Sequence, residues 1–474
     1  MGYCHCLIVI LFVGCVVFQD ASGVASVTKS PDESLRDPGT YIVYFKKNAK
    51  KAQLNHFVTE LIKTSEETEN FEVEIISKFF SIKALSARLS EQAINWITLN
   101  ELVMEVRENE YILSGFQNSN MTSLPATPGW HLDRLDQQTL PLDQKYTASQ
   151  YTGNSVDAYV LDTGIHYNHS VFNGRAHYPG CDPIDKLEND TRKGEDCYGH
   201  GTHVAGLVGG NGTGLATSVM LFSVRVANCG GSASLASLID GLMCVLQHRK
   251  RRNGTRAIVN LSIAGTGNVP SLFDAVWKVL ENDIPIIASA GNGHSALNFD
   301  ACKVVPAGYK GVVTVGATDM DDNALFGEFD NRAATVDLGS CVDVFAPGYN
   351  ILSSDICTIS SNTCYRPSSG DFETVMPRAE CSKTCQRFRT GTSQSTAIVT
   401  GAVSLLLEKC PSLNRKQIPN IVRTSLSKGR VRFCKAFELL SQFPQLLPVN
   451  DVVASSPNRL LYIGDLPSFN CSMP

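Results

Sequence analysis

Residues 156–164 read Val-Asp-Ala-Tyr-Val-Leu-Asp-Thr-Gly, an apolar stretch that ends in the carboxylate of Asp162 and a glycine turn. An apolar run of this length, closed by a turn residue, is typical of a buried strand. The same pattern recurs at residues 257–265, 285–292, 312–316 and 341–348. Apolar residues at helical spacing predict helices at 235–246 and around 276–280. Strands that alternate with helices predict an α/β domain of three layers, with a mainly parallel central sheet and helices on both faces.

The ends of these strands and the starts of the helices carry side chains suited to acyl transfer. Asp162 closes the first strand, His200 opens a helix rich in small residues, Asn292 follows a strand, and Ser393 begins an apolar helix. Such a reaction needs a hydroxyl nucleophile, an imidazole base, a carboxylate that orients it, and donors for an oxyanion. Each residue alone also has a structural interpretation, as a helix cap for the serine and as a buried side chain for the histidine. All four together, in this order, predict a catalytic site.

Composition limits the classes of function. The chain has 474 residues, 43% apolar and 18% charged, as expected for a soluble protein of two or three domains. Its net charge of -5 gives no reason to expect nucleic acid or an anionic membrane as a partner. The 16 cysteines are too many for a typical cytosolic enzyme and are not spaced as zinc ligands.

The amino terminus is consistent with an oxidising compartment. Residues 1–23 are predicted to be a secretory signal peptide, because an apolar run at 7–18 precedes the small residues Ala21, Ser22 and Gly23. The run is too short to span a bilayer, and no later segment is expected to anchor the chain. The protein is therefore expected to be secreted. Seven glycosylation sequons begin at Asn120, Asn168, Asn189, Asn211, Asn253, Asn260 and Asn470. Asn260 lies in a predicted buried strand and is expected to stay unmodified.

The first part of the chain is predicted to be a separate small domain. Strand and helix patterns follow the order βαββαβ within residues 38–112, which predicts an α+β, ferredoxin-like unit. Residues 113–127 then turn to Ser, Asn, Gly, Pro and Thr without periodicity, as in an exposed linker open to proteolysis.

The motifs resemble those of the subtilisin family of serine endopeptidases, and most closely the proteinase K branch. The matching segments are Leu161-Asp162-Thr163-Gly164-Ile165, His200-Gly201-Thr202-His203-Val204-Ala205-Gly206, Ala290-Gly291-Asn292 and Gly391-Thr392-Ser393. Residues 41–111 resemble the family's inhibitory propeptide, 130–135 the start of its mature enzyme, and 456–462 its closing segment. The resemblance implies a subtilisin-like peptidase domain at 128–465, a tail at 466–474, and autocleavage within 113–127.

The resemblance also implies roles for single residues. Ser393 is the expected nucleophile, His200 the general base, Asp162 the orienting carboxylate, and Asn292 with the Ser393 N–H the oxyanion donors. Substrate is expected along Ser262, Ala264 and Gly265. No cofactor is expected for catalysis, and a structural calcium ion is expected at Asp343. The implied partners are polypeptide substrates and the chain's own propeptide, acting as an intramolecular inhibitor on a monomeric enzyme.

Three features depart from the family pattern. Gln394-Ser395-Thr396-Ala397-Ile398 replaces the usual Met-Ala-Thr-Pro-His, Ala264 stands where a glycine lines the primary specificity pocket, and about forty residues separate Gly348 from Gly391. Gln394, Ala264-Gly265 and residues 341–343 also resemble proprotein convertase subtilisin/kexin type nine. That resemblance implies an alternative, a protein that cleaves itself once, keeps its propeptide and acts by binding. The end of the chain at Pro474, soon after the closing segment, favours the enzyme.

Cysteine pairing is expected in loops near the site. The resemblance to the convertase suggests the pairs Cys197–Cys229 and Cys302–Cys341, and proximity suggests Cys357–Cys364 and Cys381–Cys385. If Cys4, Cys6 and Cys15 leave with the signal peptide, thirteen cysteines remain of the 16. At least one thiol is then expected to be free or intermolecular.

Overall fold

The computed structural model describes residues 24–30, 32–112, 129–188, 190–252, 254–266, 269–293, 300–325, 328–329, 332–333, 338–356, 383–429, 431–432 and 455–472. Several predictions fall outside these residues. They are the signal peptide at 1–23, the linker at 113–127, the Cys357–Cys364 pair, and Cys381 of the Cys381–Cys385 pair.

The amino-terminal unit is a sheet covered by two helices. Its elements are β1 (Ser26–Thr28), β2 (Arg36–Phe45), α1 (Lys51–Glu67), β3 (Val73–Phe79), β4 (Ala84–Leu89), α2 (Glu91–Thr98) and β5 (Val103–Ile112). The strands are ordered β1-β5-β2-β4-β3, with parallel pairing only between β1 and β5. The predicted βαββαβ order and ferredoxin-like topology are therefore present, and β1 is an additional edge strand.

Local sequence accounts for the boundaries of this unit. The side chain of Ser90 accepts a hydrogen bond from Ala93 N and caps α2, as its position before Glu91 indicates. Strand β3 does not continue into β4. It ends at Phe79, because a 3₁₀ turn at Phe80–Ile82 is closed by Lys83 in the left-handed conformation, with φ of 56°.

The larger unit alternates strands and helices. Up to its middle it contains α3 (Trp130–Asp133), β6 (Val156–Asp162), β7 (Ala176–His177), α4 (Pro183–Glu188), α5 (His200–Gly209), β8 (Met220–Arg225), β9 (Ala233–Ser234), α6 (Leu235–Arg249), β10 (Arg256–Leu261), β11 (Gly265–Thr266) and α7 (Pro270–Glu281). It continues with β12 (Ile286–Ser289), β13 (Val304–Val305), β14 (Val313–Thr318), β15 (Glu328–Phe329), β16 (Arg332–Ala333), β17 (Val344–Pro347), β18 (Ile351–Ser354), β19 (Gln386–Arg389), α8 (Thr392–Lys409), α9 (Gln417–Thr424), β20 (Ser427–Gly429) and β21 (Leu460–Leu461).

Nine strands form the central sheet in the order β20-β21-β17-β14-β12-β10-β6-β8-β7. Every neighbouring pair is parallel except β20 with β21, which confirms the mainly parallel sheet. Because β6, β10 and β12 are adjacent and parallel, their carboxyl ends meet at one edge of the sheet.

Helices cover both faces of this sheet. Successive residues of β10 and β12 point to opposite sides, as the pleat requires. Ile258 and Ile287 pack in the cluster with α5 and α8, whereas Val259 and Ile286 pack in the cluster with α6 and α7. This explains why both strands are apolar throughout, and it confirms the three-layer α/β fold.

Four disulfides lie within the described residues. Two are the expected Cys197–Cys229 and Cys302–Cys341 pairs. The other two, Cys181–Cys244 and Cys410–Cys471, were not expected. Cys410–Cys471 joins the end of α8 to the segment near the carboxyl terminus, and Cys181–Cys244 joins the loop before α4 to α6.

Candidate active site

Asp162 and His200 form a buried hydrogen-bonded pair at the carboxyl edge of the sheet. Asp162 is the last residue of β6 and His200 the first of α5. Asp162 Oδ1 lies 2.7 Å from His200 Nδ1 and also accepts a hydrogen bond of 2.8 Å from Thr163 N. A carboxylate on Nδ1 fixes the ring so that Nε2 faces away from Asp162, where it can act as a base.

Ser393 lies in the first turn of α8. The preceding Gly391 has φ of 148°, in the region that favours glycine. Ser393 Oγ donates a hydrogen bond of 2.9 Å to the carbonyl oxygen of Ser262, just after β10. The backbone N–H groups of a first helical turn have no partner within the helix, so α8 supplies donors close to this hydroxyl.

Asn292 follows β12 and is held against the start of α8. Its Oδ1 accepts hydrogen bonds of 2.9 Å from both the N–H and the hydroxyl of Thr392. These two bonds set the orientation of the amide and leave Nδ2 as its donor end. A Cβ at Gly391 would lie 3.2 Å from Nδ2 and 3.2 Å from Oδ1 of Asn292, so glycine allows the amide to approach this closely.

The three residues expected to line the substrate cleft follow β10, and Gly265 is the first residue of β11. Ser262 and Ala264 are buried, and Ala264 packs with Val304 and Ala307. A Cβ on Gly265 would lie 2.2 Å from the side chain of Ile112, the last residue of β5.

The amino-terminal unit therefore reaches into this cleft. Its strand β5 pairs antiparallel with β9, with Tyr111 opposite Ser234 and Ile112 opposite Ala233. Asn109 Oδ1 accepts a hydrogen bond of 3.0 Å from Ala236 N at the start of α6. The chain segment that ends at Ile112 thus occupies the groove between β9 and Gly265.

Asp343 does not fit the expected calcium ion. Its Oδ1 accepts a hydrogen bond of 2.5 Å from the guanidinium of Arg423, and its Oδ2 accepts one of 2.9 Å from Thr314 N. A cationic side chain therefore stands where a metal ion would be needed. The described residues also contain no group of three or more His, Cys, Asp or Glu side chains able to hold a metal.

His203, the second histidine of α5, makes structural hydrogen bonds and is not part of the Asp162–His200 pair. Its Nε2 lies 3.1 Å from the carbonyl oxygen of Ile351 and 3.0 Å from that of Arg387, so it joins α5 to β18 and β19. Burial lowers the pKa of His203 well below its usual value, and Arg389 lowers it further. This histidine is therefore neutral near pH 7.

Sequence reasoning missed Asp196, a buried carboxylate close to the pair. It accepts a hydrogen bond of 2.9 Å from the hydroxyl of Thr163 and others from the loop that leads to His200. The sequence does contain a sign of this role, because Asp196 lies four residues before His200, the first residue of α5. An aspartate in such a loop commonly accepts hydrogen bonds from the N–H groups two and three residues later.

Comparison with known proteins identifies the family. The model of the subtilase family matches residues 153–439. An extracellular serine proteinase from Thermus sp. (strain Rt41A) is 32% identical over 410 residues, which cover 82% of this chain and 87% of the relative. The chain belongs to the subtilase family. It is a serine-type endopeptidase of the subtilisin family, and subtilases need no cofactor for catalysis.

Other relatives of this subtilase are longer proteins. Alkaline serine exoprotease A from Vibrio alginolyticus is 34% identical over 302 residues, 64% of this chain and 47% of that protein. Proprotein convertase subtilisin/kexin type 9 from Rattus norvegicus is 27% identical over 407 residues, 84% of this chain and 52% of that protein. The subtilase spans about half the length of each.

Solved structures agree on the fold. A cold adapted subtilisin-like serine proteinase has a TM-score of 0.53 and 31% identity, and the match covers 71% of the subtilase and 98% of that chain. Fervidolysin from Fervidobacterium pennivorans, with a TM-score of 0.60 and 18% identity, shares the fold over 84% of the subtilase and 59% of its own chain. Among the described helices of the subtilase, none combines the length and apolarity of a bilayer span.

Proposed function

We propose that this subtilase is a secreted, monomeric endopeptidase that hydrolyses polypeptides through an acyl-enzyme on Ser393. The observation that carries the proposal is the 2.7 Å contact between Asp162 Oδ1 and His200 Nδ1, at the sheet edge where Ser262 and Asn292 hold the start of α8. The relative from Thermus sp. is named an extracellular proteinase, which supports secretion of this subtilase. Asn168, Asn211 and Asn470 are exposed and suit glycan attachment, whereas Asn260 is fully buried.

The proposed reaction begins with the Ser393 hydroxyl. In the structure this hydroxyl donates its hydrogen bond to the carbonyl of Ser262. To attack a peptide carbonyl, it donates to Nε2 of His200 instead, and His200 takes the proton. Asp162 stabilises the resulting imidazolium, and the Nδ2 of Asn292 with the Ser393 N–H stabilises the oxyanion. His200 then returns the proton to the leaving amine, and water repeats the sequence to release the acyl group.

Residues 38–112 are proposed to be an inhibitory propeptide and 128–465 the peptidase domain, made as a zymogen that cuts itself within 113–127. The pairing of β5 with β9 supports this, because it places Ile112 in the groove expected to bind substrate. Substrate is proposed to take the same path along Ser262, Ala264 and Gly265 after the propeptide leaves.

A second candidate function is a self-cleaved protein that retains its propeptide and acts by binding. The extent of the contact between the units favours it. Besides the paired strands, Tyr44 hydroxyl donates a hydrogen bond of 2.5 Å to Ser271, and Ser77 donates one of 3.0 Å to Asp240. The match to the relative named as a proprotein convertase covers 84% of this chain.

Two measurements separate the candidates. Purified secreted protein is incubated with an unfolded substrate protein, with and without an irreversible serine reagent, beside a Ser393→Ala variant. Hydrolysis that the reagent and the substitution both abolish supports the enzyme. Size-exclusion chromatography with mass spectrometry then identifies the secreted species. A stable one-to-one complex with residues 24–112 that is inert towards peptides would support the binding protein instead.

A further inference from the structure

Asp196 is a buried carboxylate without a role in the proposed reaction. Its side chain is 6% exposed, and burial raises its pKa, while hydrogen bonds to it oppose the shift. Burying a carboxylate is costly unless its oxygens are well satisfied. The partners of Asp196 among the described residues are neutral donors rather than a cation.

Five donors converge on this carboxylate. Oδ1 accepts from the Thr163 hydroxyl at 2.9 Å, from Tyr198 N at 2.9 Å and from Gly199 N at 2.8 Å. Oδ2 accepts from Thr202 N at 2.9 Å and from the Thr202 hydroxyl at 2.6 Å. Five donors exceed the roughly four lone-pair sites of a carboxylate, so the acceptor capacity of Asp196 is fully used.

These donors lie on both sides of the Asp162–His200 pair. Thr163 directly follows Asp162, and its N–H binds the same oxygen that faces His200. The Thr163 hydroxyl also accepts a hydrogen bond of 2.9 Å from Gly201 N, directly after His200. The end of β6 and the start of α5 are therefore joined by a closed ring of hydrogen bonds that includes the Asp162–His200 contact.

Asp196 determines the direction of the bonds in this ring. A threonine hydroxyl has a single proton, and Thr163 gives it to Asp196, so its lone pairs face Gly201 N. Gly199 and Thr202, which bracket His200, are held by the two oxygens of the same carboxylate. We propose that Asp196 is a positioning residue that fixes the distance and orientation of His200 relative to Asp162. The proposal rests on the proposed catalytic roles of those two residues.

The test is Asp196→Asn in the full chain, which keeps the shape but replaces one acceptor oxygen by an NH₂ group. A threonine hydroxyl can rotate and accept a hydrogen bond instead of donating one, but a backbone N–H group can only donate. Both oxygens of Asp196 accept from backbone N–H groups, so an NH₂ group at either position would face another donor. We expect kcat for an unfolded peptide to fall about 10- to 100-fold, as for small displacements of catalytic groups, with little change in KM. Reaction of Ser393 with phenylmethanesulfonyl fluoride is expected to slow in parallel.

Asp182→Asn is the matched control. Asp182 is also a buried carboxylate, and it accepts hydrogen bonds from the N–H groups of Ile184, Asp185 and Gly194. Unlike Asp196 it also pairs with a cation, Arg225, but within the described part of the chain it makes no hydrogen bond to the residues of the ring. Its substitution is expected to lower the melting temperature without lowering kcat per titrated active site. If Asp196→Asn does the same, it acts on stability only and the proposal is overturned.

Thr163 offers a second route if Asp196→Asn does not fold. Thr163→Val removes the hydroxyl and is expected to lower kcat, whereas Thr163→Ser keeps it and is expected to restore most of the rate. Equal rates for the two variants would contradict the proposal.

A readout independent of turnover is the low-field proton signal of His200 Nδ1–H, which is expected to move in Asp196→Asn and in Thr163→Val. A wild-type chain without peptidase activity would overturn the proposed function, while this signal would still decide whether Asp196 positions His200.

Discussion

Ser393 and Ser262 are joined by two reciprocal hydrogen bonds. Ser393 Oγ donates to the carbonyl of Ser262 at 2.9 Å, and Ser262 Oγ donates to the carbonyl of Ser393 at 3.0 Å. Ser262 Oγ also accepts from Asn260 Nδ2 at 2.9 Å, and Asn260 Oδ1 accepts from the Thr400 hydroxyl at 2.9 Å. The position of the proposed nucleophile thus depends on a buried amide between β10 and α8.

Asn260→Ala is predicted to impair both stability and catalysis. The substitution removes the hydrogen bonds that Asn260 makes with Ser262 and Thr400, at a net cost of about 0.5–1.5 kcal/mol each, while the two hydroxyls keep their bonds to the carbonyls of Ser393 and Thr396. Because one of the two bonds that hold the Ser262 hydroxyl is lost, we expect kcat to fall on the order of tenfold. Thermal unfolding and steady-state kinetics measure the two effects. Thr400→Val, which alters only the far end of the network, is expected to cost stability without the same loss in kcat, and an equal loss would indicate general loosening.

Asn292→Ala is predicted to fold and to lose turnover. The Nδ2 of Asn292 is the proposed side-chain donor to the oxyanion, and removal of one such donor costs on the order of 10²–10³ in kcat. KM is expected to change little, because the donor acts mainly in the transition state. Thr392→Val removes one of the two groups that orient the amide but keeps the donor, so a smaller loss is expected. An unchanged rate in Asn292→Ala would show that another group stabilises the oxyanion.

Acid is predicted to destabilise the fold through buried histidines. Burial lowers the pKa of His131 and of His169 to about 4, from the usual 6.5. Between these values the unfolded chain binds protons that the folded chain does not, so stability rises with pH from about 4 to 6.5. The penalty for His131 reaches on the order of 3 kcal/mol near pH 4, since one pKa unit corresponds to about 1.4 kcal/mol.

His131→Gln tests this effect, because the side-chain amide of glutamine can place a donor where His131 Nε2 lies, 2.9 Å from the carbonyl oxygen of Thr213. Denaturant unfolding is measured at pH 4.5 and at pH 7 for both proteins. The stability of the variant relative to wild type is expected to be greater at the lower pH. A difference that is the same at both pH values would mean that His131 does not titrate in this range.

Local pattern was enough to predict the fold and to assign the candidate residues to the ends of strands and the starts of helices. Buried parallel strands are apolar along their length, and a polar residue at a carboxyl end is therefore conspicuous, as for Asp162 and Asn292. Ser393 and His200 stand at helix starts, where the sequence marks a boundary with glycine. The sheet then brings these positions to one edge, which is a general consequence of parallel topology.

What sequence could not predict depends on contacts between distant segments. The structure does not support the calcium expectation at Asp343, because Arg423, on helix α9, pairs with that carboxylate. Cys181 and Cys244 are separated by 63 residues and Cys410 and Cys471 by 61, so spacing gives no sign of either pair. Strand β1 pairs with β5, and these two strands lie at opposite ends of the amino-terminal unit's sequence.

The position of Ile112 predicts which bond the zymogen cuts. Asn109 contacts the start of α6, and Tyr44 contacts Ser271 at the start of α7, the helix that follows β11. The amino-terminal unit therefore packs against both of these helix starts. Ile112 lies against Gly265, and Gly265 comes three residues after Ser262, whose carbonyl accepts the Ser393 hydroxyl. Antiparallel strands pair residue by residue, which predicts a cut three residues after Ile112.

Cleavage is accordingly expected after Gly115, so that the processed protein begins at Phe116. Intact mass and amino-terminal sequencing of the secreted protein measure this directly. Ser393→Ala is expected to remain uncut, since the cleavage is proposed to be intramolecular. Ile112→Asp is expected to slow processing, because it places a charge in the apolar cluster that includes Ile263 and Leu272. Processing at another bond would contradict the register, and normal processing of Ser393→Ala would assign the cut to a different protease.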